Sequence, residues 1–204
     1  MKTCSGLYPK VWEFENLYLA WRKARKGKRR REQAAAFERV QEEELLNLQE
    51  ELRGFTYQPG EYHSFYIHDP KKRLISAAPF RDRVVHHALY RVMEPIWERR
   101  FIHDTYANRV GKGTHRALDR TTEFARRYQY VLQCDVKQFF PSIDLTLLRA
   151  EFARRIRDEG LLWLCDKILA SGEGVLAEEY EMTSTLSVPT KSLTSPLSGF
   201  FLQQ

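Results

Sequence analysis

Residues 130–140 read YVLQCDVKQFF, an apolar run interrupted by Asp135. The pattern predicts a buried strand. Burying an unpaired carboxylate is costly, so Asp135 calls for a compensating cation, strong hydrogen bonds or a strand-end position, and a metal ion would serve. Downstream, Pro141 to Asp144 read as a turn and a helix cap. Leu147, Leu148, Phe152 and Ile156 supply the following apolar stripe, which makes Asp144 a structural acid. A further helix is expected over Leu161 to Ala170, broken by Ser171 to Gly174. A strand pair ending near Val188 and a last helix starting at Leu193 complete the downstream reading.

Working upstream, Thr114 is expected to cap a helix. Before it, Tyr106 to Thr114 (YANRVGKGT) places two glycines and two cations on a loop leading to a helix N-terminus, a geometry that suits a polyanion. From Phe80 to Trp97 apolar residues recur at helical spacing, with Arg81, Asp82 and Arg83 in the first turn. Tyr62 to His68 and Arg73 to Ala77 read as a hairpin with Lys71, Lys72 and Arg73 at or beside its tip. One amphipathic helix is expected over Glu32 to Leu52, its stripe including Phe37, Val40, Leu45 and Leu48. Another helix is expected within Glu13 to Arg25, through Phe14, Leu17, Tyr18 and Trp21. Between them Arg22, Lys23, Arg25, Lys26, Lys28, Arg29, Arg30 and Arg31 crowd around Gly27, an arm able to hold phosphates.

The 204 residues, 43% of them apolar, suffice for one domain or two small subdomains with a shared core. A net charge of +6 and a pI near 9.2 favour a polyanionic partner. Cys4, Cys134 and Cys165 are odd in number and far apart, which argues against a disulfide framework or zinc site and for a reducing setting. His86 and His87 are adjacent and are read as buried or surface-satisfied. No stretch has the length and apolarity of a signal peptide or membrane span, so a cytoplasmic, soluble protein with no membrane partner is expected.

Four ordered blocks, KKRLISAAPFRDRVVHHAL, YANRVGKGTHRAL, CDVKQFFPSID and VPTKSLTSPLSGFF, together resemble bacterial reverse transcriptases. The stretches ENLYLAWRKARKGKRR and LLNLQEELRGFTYQPGEYHSF look most like the enzymes of diversity-generating retroelements, with retron and group II intron enzymes as relatives. The resemblance implies an α+β, right-hand polymerase fold, incomplete here. Residues 1–54 would form a helical basic arm, 55–128 the fingers and 129–204 part of the palm.

The implied activity is RNA-directed DNA synthesis by two-metal nucleotidyl transfer, with Mg2+ as cofactor and RNA template, primer and deoxynucleoside triphosphates as partners. By resemblance, the Asp135 carboxylate and the Val136 carbonyl hold metal. Lys137, Gln138, Phe139 and Phe140 border the nucleotide, Phe140 beneath its sugar. Arg73, with Lys71 as a second cation, would pair with the triphosphate, while Arg109, Lys112, Ser195 and Pro196 would lie along the template.

Two departures stand against activity. Thr190 and Lys191 occupy positions where relatives have glutamine or an aliphatic residue, then glycine. The aromatic-x-Asp-Asp turn is absent, since the sequence has no adjacent aspartates. The expectation is a polymerase fragment that binds divalent metal weakly and polymerises nothing, or alternatively a non-catalytic RNA-binding module. The sequence leaves oligomeric state open.

Overall fold

The computed structural model describes residues 5–68, 73–136, 139 and 142–172. Among these the helices are α1 (Tyr8–Trp12), α2 (Phe14–Ala24), α3 (Glu32–Arg39), α4 (Gln41–Arg53), α5 (Phe80–Glu98), α6 (Thr114–Arg127), α7 (Leu145–Ala153) and α8 (Glu159–Ser171). Strands β1 (His63–Ile67) and β2 (Arg73–Ala77) pair antiparallel, with His63 opposite Ala77 and Ile67 opposite Arg73. The class is α+β.

Helix α5 is the axis of the core. Leu17, Ala20, Trp21 and Ala24 recur at i, i+3, i+4 and i+7 on α2 and are all buried, as are Val84, Val85, Ala88, Leu89 and Met93 on α5. These two helices form the most extensive interhelical contact. Small residues at Ala20, Ala24 and Ala88 let their backbones approach. Asn16 extends this contact, its Nδ2 donating to the carbonyls of Val11 and Ala88, both at 3.1 Å. Leu45, Leu48 and Leu52 from α4, and Phe152, Ile156, Leu161 and Leu164 from the α7–α8 region, join the same core. Residues of all three expected segments thus share one apolar interior.

The first turn of α5 is fixed from both sides. Asp82, buried, accepts from the Tyr57 hydroxyl at 2.7 Å and the Gly60 amide at 2.8 Å. Arg81 pairs with Glu51 at 2.7 Å and Glu44 at 3.3 Å on α4.

Asp158 performs a longer-range task. Its Oδ2 accepts from the amides of Leu7 and Tyr8 at 2.5 and 3.0 Å, and its Oδ1 accepts from Leu161 at 3.0 Å. One carboxylate therefore satisfies orphan donors at the N-termini of both α1 and α8. Burial pushes its pKa up, but the backbone amides of Tyr8, Leu161, Leu7 and Gly160 outweigh this and hold it below the usual range. Beside it, Gly160 lies so close to Tyr8 that a Cβ would meet the ring at 2.6 Å. The Tyr8 hydroxyl then donates to the Leu52 carbonyl at 2.5 Å.

The α2, α5 and α8 expectations and the hairpin match the structure, and Asp144 caps α7 by accepting from Thr146 and Leu147 at 2.8 and 3.0 Å. Four expectations need correction. The single helix over Glu32 to Leu52 is two, because Val40 leaves helical backbone at φ −122° and ψ 29° and is 46% exposed. That break lets α3 present Ala34 and Phe37, and α4 its leucines, in different directions.

Helix α6 is preceded by Gly113, not capped by Thr114. Gly113 has φ +100°, a conformation glycine adopts without a Cβ penalty. Leu147 is 43% exposed, so the buried stripe there is Leu148, Phe152 and Ile156. Residues 130–136 form no strand, and Tyr130, Val131 and Leu132 are 83–90% exposed. A strand is stable only beside another, and the sole ladder among the described residues is β1–β2. The strand pair near Val188 and the helix from Leu193 lie outside the described residues.

Candidate nucleic-acid interface

Helix α2 ends at Ala24, and residues 25–31 wind through turns closed by Lys28 N to Arg25 O and Arg31 N to Lys28 O, both 2.9 Å. Gly27, at φ +73°, permits the reversal. Eight cations lie between Arg22 and Arg31, and two are neutralised by an acid that the local sequence did not reveal. Glu38 of α3 accepts from Arg29 at 3.0 Å and also from Arg25, whose guanidinium lies 4.1 Å above the Trp21 ring. The Arg29 hydrogen bond, with Arg25 in support, lowers the Glu38 pKa. Arg22, Lys23, Lys26, Lys28, Arg30 and Arg31 make no ion pair among the described residues.

This arm runs onto the N-terminal half of α5. Arg83 reaches Gln33 with its Nη2 at 3.2 Å and lies 5.4 Å over the Phe80 ring, while its Nε is buried without an acceptor among the described residues. Burial lowers the Arg83 pKa. Lys28 is lowered by burial, then by Arg83 and Arg31. His87, half-buried next to the buried His86, is pushed down to about 4 by burial, then by Lys23, His86, Lys28 and Arg83.

A histidine lowered on folding makes the unfolded chain the stronger proton binder, so stability rises with pH across that interval. The His87 contribution is complete above its ordinary 6.5 and is lost as pH falls towards about 4. The loss amounts to at most about 3 kcal/mol. Urea melts should show this slope, and His87→Gln should flatten it. An unchanged slope in the variant would assign it to other groups.

The glycine loop spends its cations internally. Arg109, with 10% of its side chain exposed, grips Glu98 at 2.7 and 3.0 Å and donates to the carbonyls of Ile102 and Thr105 at 3.2 and 3.3 Å. The Glu98 hydrogen bond raises its pKa. Lys112 donates to the His103 carbonyl at 2.7 Å and sits 4.9 Å from the Tyr106 ring centre. Asp104 accepts from Arg120 at 3.0 Å and the Tyr106 hydroxyl at 2.9 Å. The Arg120 and Tyr106 bonds hold its pKa down at about 2. Arg109 and Lys112 therefore brace the approach to α6.

The remaining expected site residues are only partly described. Asp135 and Val136 are exposed on the 130–136 segment, and Phe139 is partly buried. Arg73 begins β2. Lys71, Lys137, Gln138, Phe140, Thr190, Lys191, Ser195 and Pro196 lie outside the described residues. Among the described residues there is no group of three His, Cys, Asp or Glu side chains that could hold a metal ion. Nor, among the described residues, is any helix long and apolar enough to cross a membrane.

No family model matches the chain. It is 31% identical over 137 residues to Protein YkfC of Escherichia coli (strain K12), a match covering 63% of this chain and 36% of that protein. It is 26% identical over 145 residues to nuclear intron maturase 2, mitochondrial, of Arabidopsis thaliana, covering 63% and 20% respectively. To the uncharacterised 91 kDa protein in cob intron of Schizosaccharomyces pombe it is 27% identical over 151 residues, covering 74% and 18%. The chain spans about a third or less of the length of these relatives.

The narrower likeness to diversity-generating retroelement enzymes gains no support from these matches. At low identity, the chain is similar to proteins named intron maturases, which agrees with the reverse-transcriptase resemblance of its four sequence blocks.

Proposed function

We propose that this chain is an RNA-binding module of reverse-transcriptase descent, holding the phosphate backbone on the basic surface formed by the α2–α3 turn and the start of α5. The observation that carries this reading is the set of six cations between Arg22 and Arg31 that have no acidic partner among the described residues. Similarity to proteins named intron maturases supports RNA as the polyanion. Such a surface reads charge rather than sequence, because phosphate contacts position a strand without identifying its bases.

The test is a filter-binding titration of single-stranded RNA against salt. Six phosphate contacts give a slope of log affinity on log salt of roughly −4, at about −0.7 per contact on a single strand. No binding at low salt would end the proposal.

A second reading, RNA-directed DNA polymerase, is favoured by the β1–β2 hairpin, which sets Arg73 opposite Ile67 beside the segment carrying Lys71. In this reading 1–54, 55–128 and 129–204 correspond to arm, fingers and partial palm of a right-hand polymerase, in a cytoplasmic setting. Arg73 and Lys71 would meet the triphosphate, Asp135 and Val136 the magnesium, and the 137–140 segment the deoxynucleotide. Ser195 and Pro196 would border the template. Primer extension on RNA, dependent on magnesium and abolished in Asp135→Asn, would promote this reading over the first; extension retained in the variant would remove Asp135 from it.

A further inference from the structure

Lys28 departs from its neighbours. Lys26, Gly27, Arg29 and Arg30 are exposed, whereas Lys28 is half-buried and turned towards α5. On that helix Arg83, His87 and Tyr90 share one face, since they recur at i, i+4 and i+7. Two contacts hold α2 against that helix. Arg91 Nε donates to Asn16 Oδ1 at 2.9 Å, and further along α2 the Lys23 ammonium lies 5.2 Å from the Tyr90 ring centre.

Glu38 is engaged by Arg25 and Arg29, and Asp82 by Tyr57 and Gly60, while Glu32, next to Arg31 in sequence, is exposed and makes no ion pair among the described residues. What remains is Lys28 and Arg83, both half-buried, with the exposed Arg31 beside them, and none of the three makes an ion pair among the described residues. Repulsion in such a setting is unfavourable until an anion enters. The buried Arg83 Nε makes the same demand, since a buried donor ordinarily finds an acceptor.

We infer that Lys28, Arg31 and Arg83, flanked by Lys23 and His87, form a discrete seat for one phosphate group. Arg83 presents a guanidinium fork whose geometry matches phosphate oxygens, and the ammonium of Lys28 supplies a compact charge beside it. The turn of residues 25–31 sets the spacing, and Gln33 and Phe80 fix the Arg83 plane. The seat deepens the RNA-binding reading by distinguishing one anchored phosphate from the diffuse hold of the exposed arm. The phosphate can belong to an RNA backbone or to a free phosphate ion.

The experiment compares Lys28→Gln and Arg83→Gln with Arg30→Gln, an equal loss of charge on the exposed part of the arm. Labelled single-stranded RNA is the first probe and inorganic phosphate the second, followed by thermal shift of the 204-residue chain. If the seat takes a backbone phosphate, Lys28→Gln lowers RNA affinity more than about tenfold, against roughly fourfold for Arg30→Gln. If it takes free phosphate, the ion raises the wild-type melting temperature, Lys28→Gln removes the rise and Arg30→Gln preserves it.

Arg83 packs on Phe80, so its variant is judged only where its melting temperature without ligand is unchanged. Lys28 carries the test otherwise. A third readout is the His87 imidazole proton resonance, whose titration should move up from about 4 when phosphate is bound. Equal RNA losses in Lys28→Gln and Arg30→Gln, with no selective phosphate effect, would overturn the seat while leaving RNA binding intact. A phosphate effect without RNA binding would uphold the seat and reject the function proposed above.

Discussion

Asp158→Ala should lower stability by about 3 kcal/mol, among the largest single-residue losses available outside the apolar core. The estimate follows from what the carboxylate holds. Three amides, those of Leu7, Tyr8 and Leu161, lose their acceptor together, and two helix starts lose their cap. A cap is worth roughly 1 kcal/mol, and hydrogen bonds to a charged group about 1.5–3 kcal/mol, with partial compensation where water can reach the freed amides. For a chain of this size the corresponding fall in Tm is roughly 6–12 °C. Asp158→Asn keeps an acceptor oxygen without the charge and should fall between. Because the folded pKa is depressed, the contribution is fully present above the usual aspartate range and disappears as pH drops through the lowered folded value. Chemical denaturation at neutral pH checks the first claim, and a loss below about 1 kcal/mol would show that water replaces the carboxylate at both caps.

Reversing Arg22, Lys26 and Arg30 together to glutamate should reduce RNA affinity at least about a hundredfold at moderate salt. All three are exposed and make no ion pair among the described residues, so the change should leave the fold intact. Each reversal removes one counterion-releasing contact and adds a repulsive charge. The salt slope should therefore shrink by roughly 2 units as well, at about 0.7 per lost contact. Circular dichroism and Tm establish that the variant is folded, and the binding isotherm then reads the interface alone. Affinity and slope like those of the unaltered chain would move the RNA surface elsewhere, towards α6 with its Arg116, Arg126 and Arg127.

The parts of this fold that could be read from sequence are those whose determinants are local. The 3.6-residue recurrence of Leu17 and Trp21, the long apolar face beginning at Phe80, the hairpin and the Asp144 cap each lie within one turn or a few residues. What escaped reading depends on partners distant in sequence. Asp158 sits in an Arg-Asp-Glu-Gly run that resembles a charged loop, and its second set of amides lies 150 residues away. The expected strand through Asp135 failed for a related reason, since strand propensity cannot supply the neighbouring ladder.

The site was partly legible on the same terms. The density of charge between Arg22 and Arg31 marked the arm, but not that Glu38 would neutralise two of its members or that Lys28 would turn inward towards Arg83. In the glycine loop the cations and glycines were recognised as types, but not that Arg109 would pair with Glu98. Glu98, eleven residues before Arg109, was the available clue.

The Asp158 tie also bears on synthesis. A ribosome adds roughly 5–20 residues each second, so the segment at Leu7 and Tyr8 emerges about 8–30 s before its carboxylate partner has been made. Until then α1 lacks its acceptor and the Tyr8 ring lacks the Gly160 surface against which it rests. Helix α1 is thus locked only after Asp158 has been made, and the nascent chain must carry Val11, Leu17 and Trp21 in an unfinished core throughout that interval.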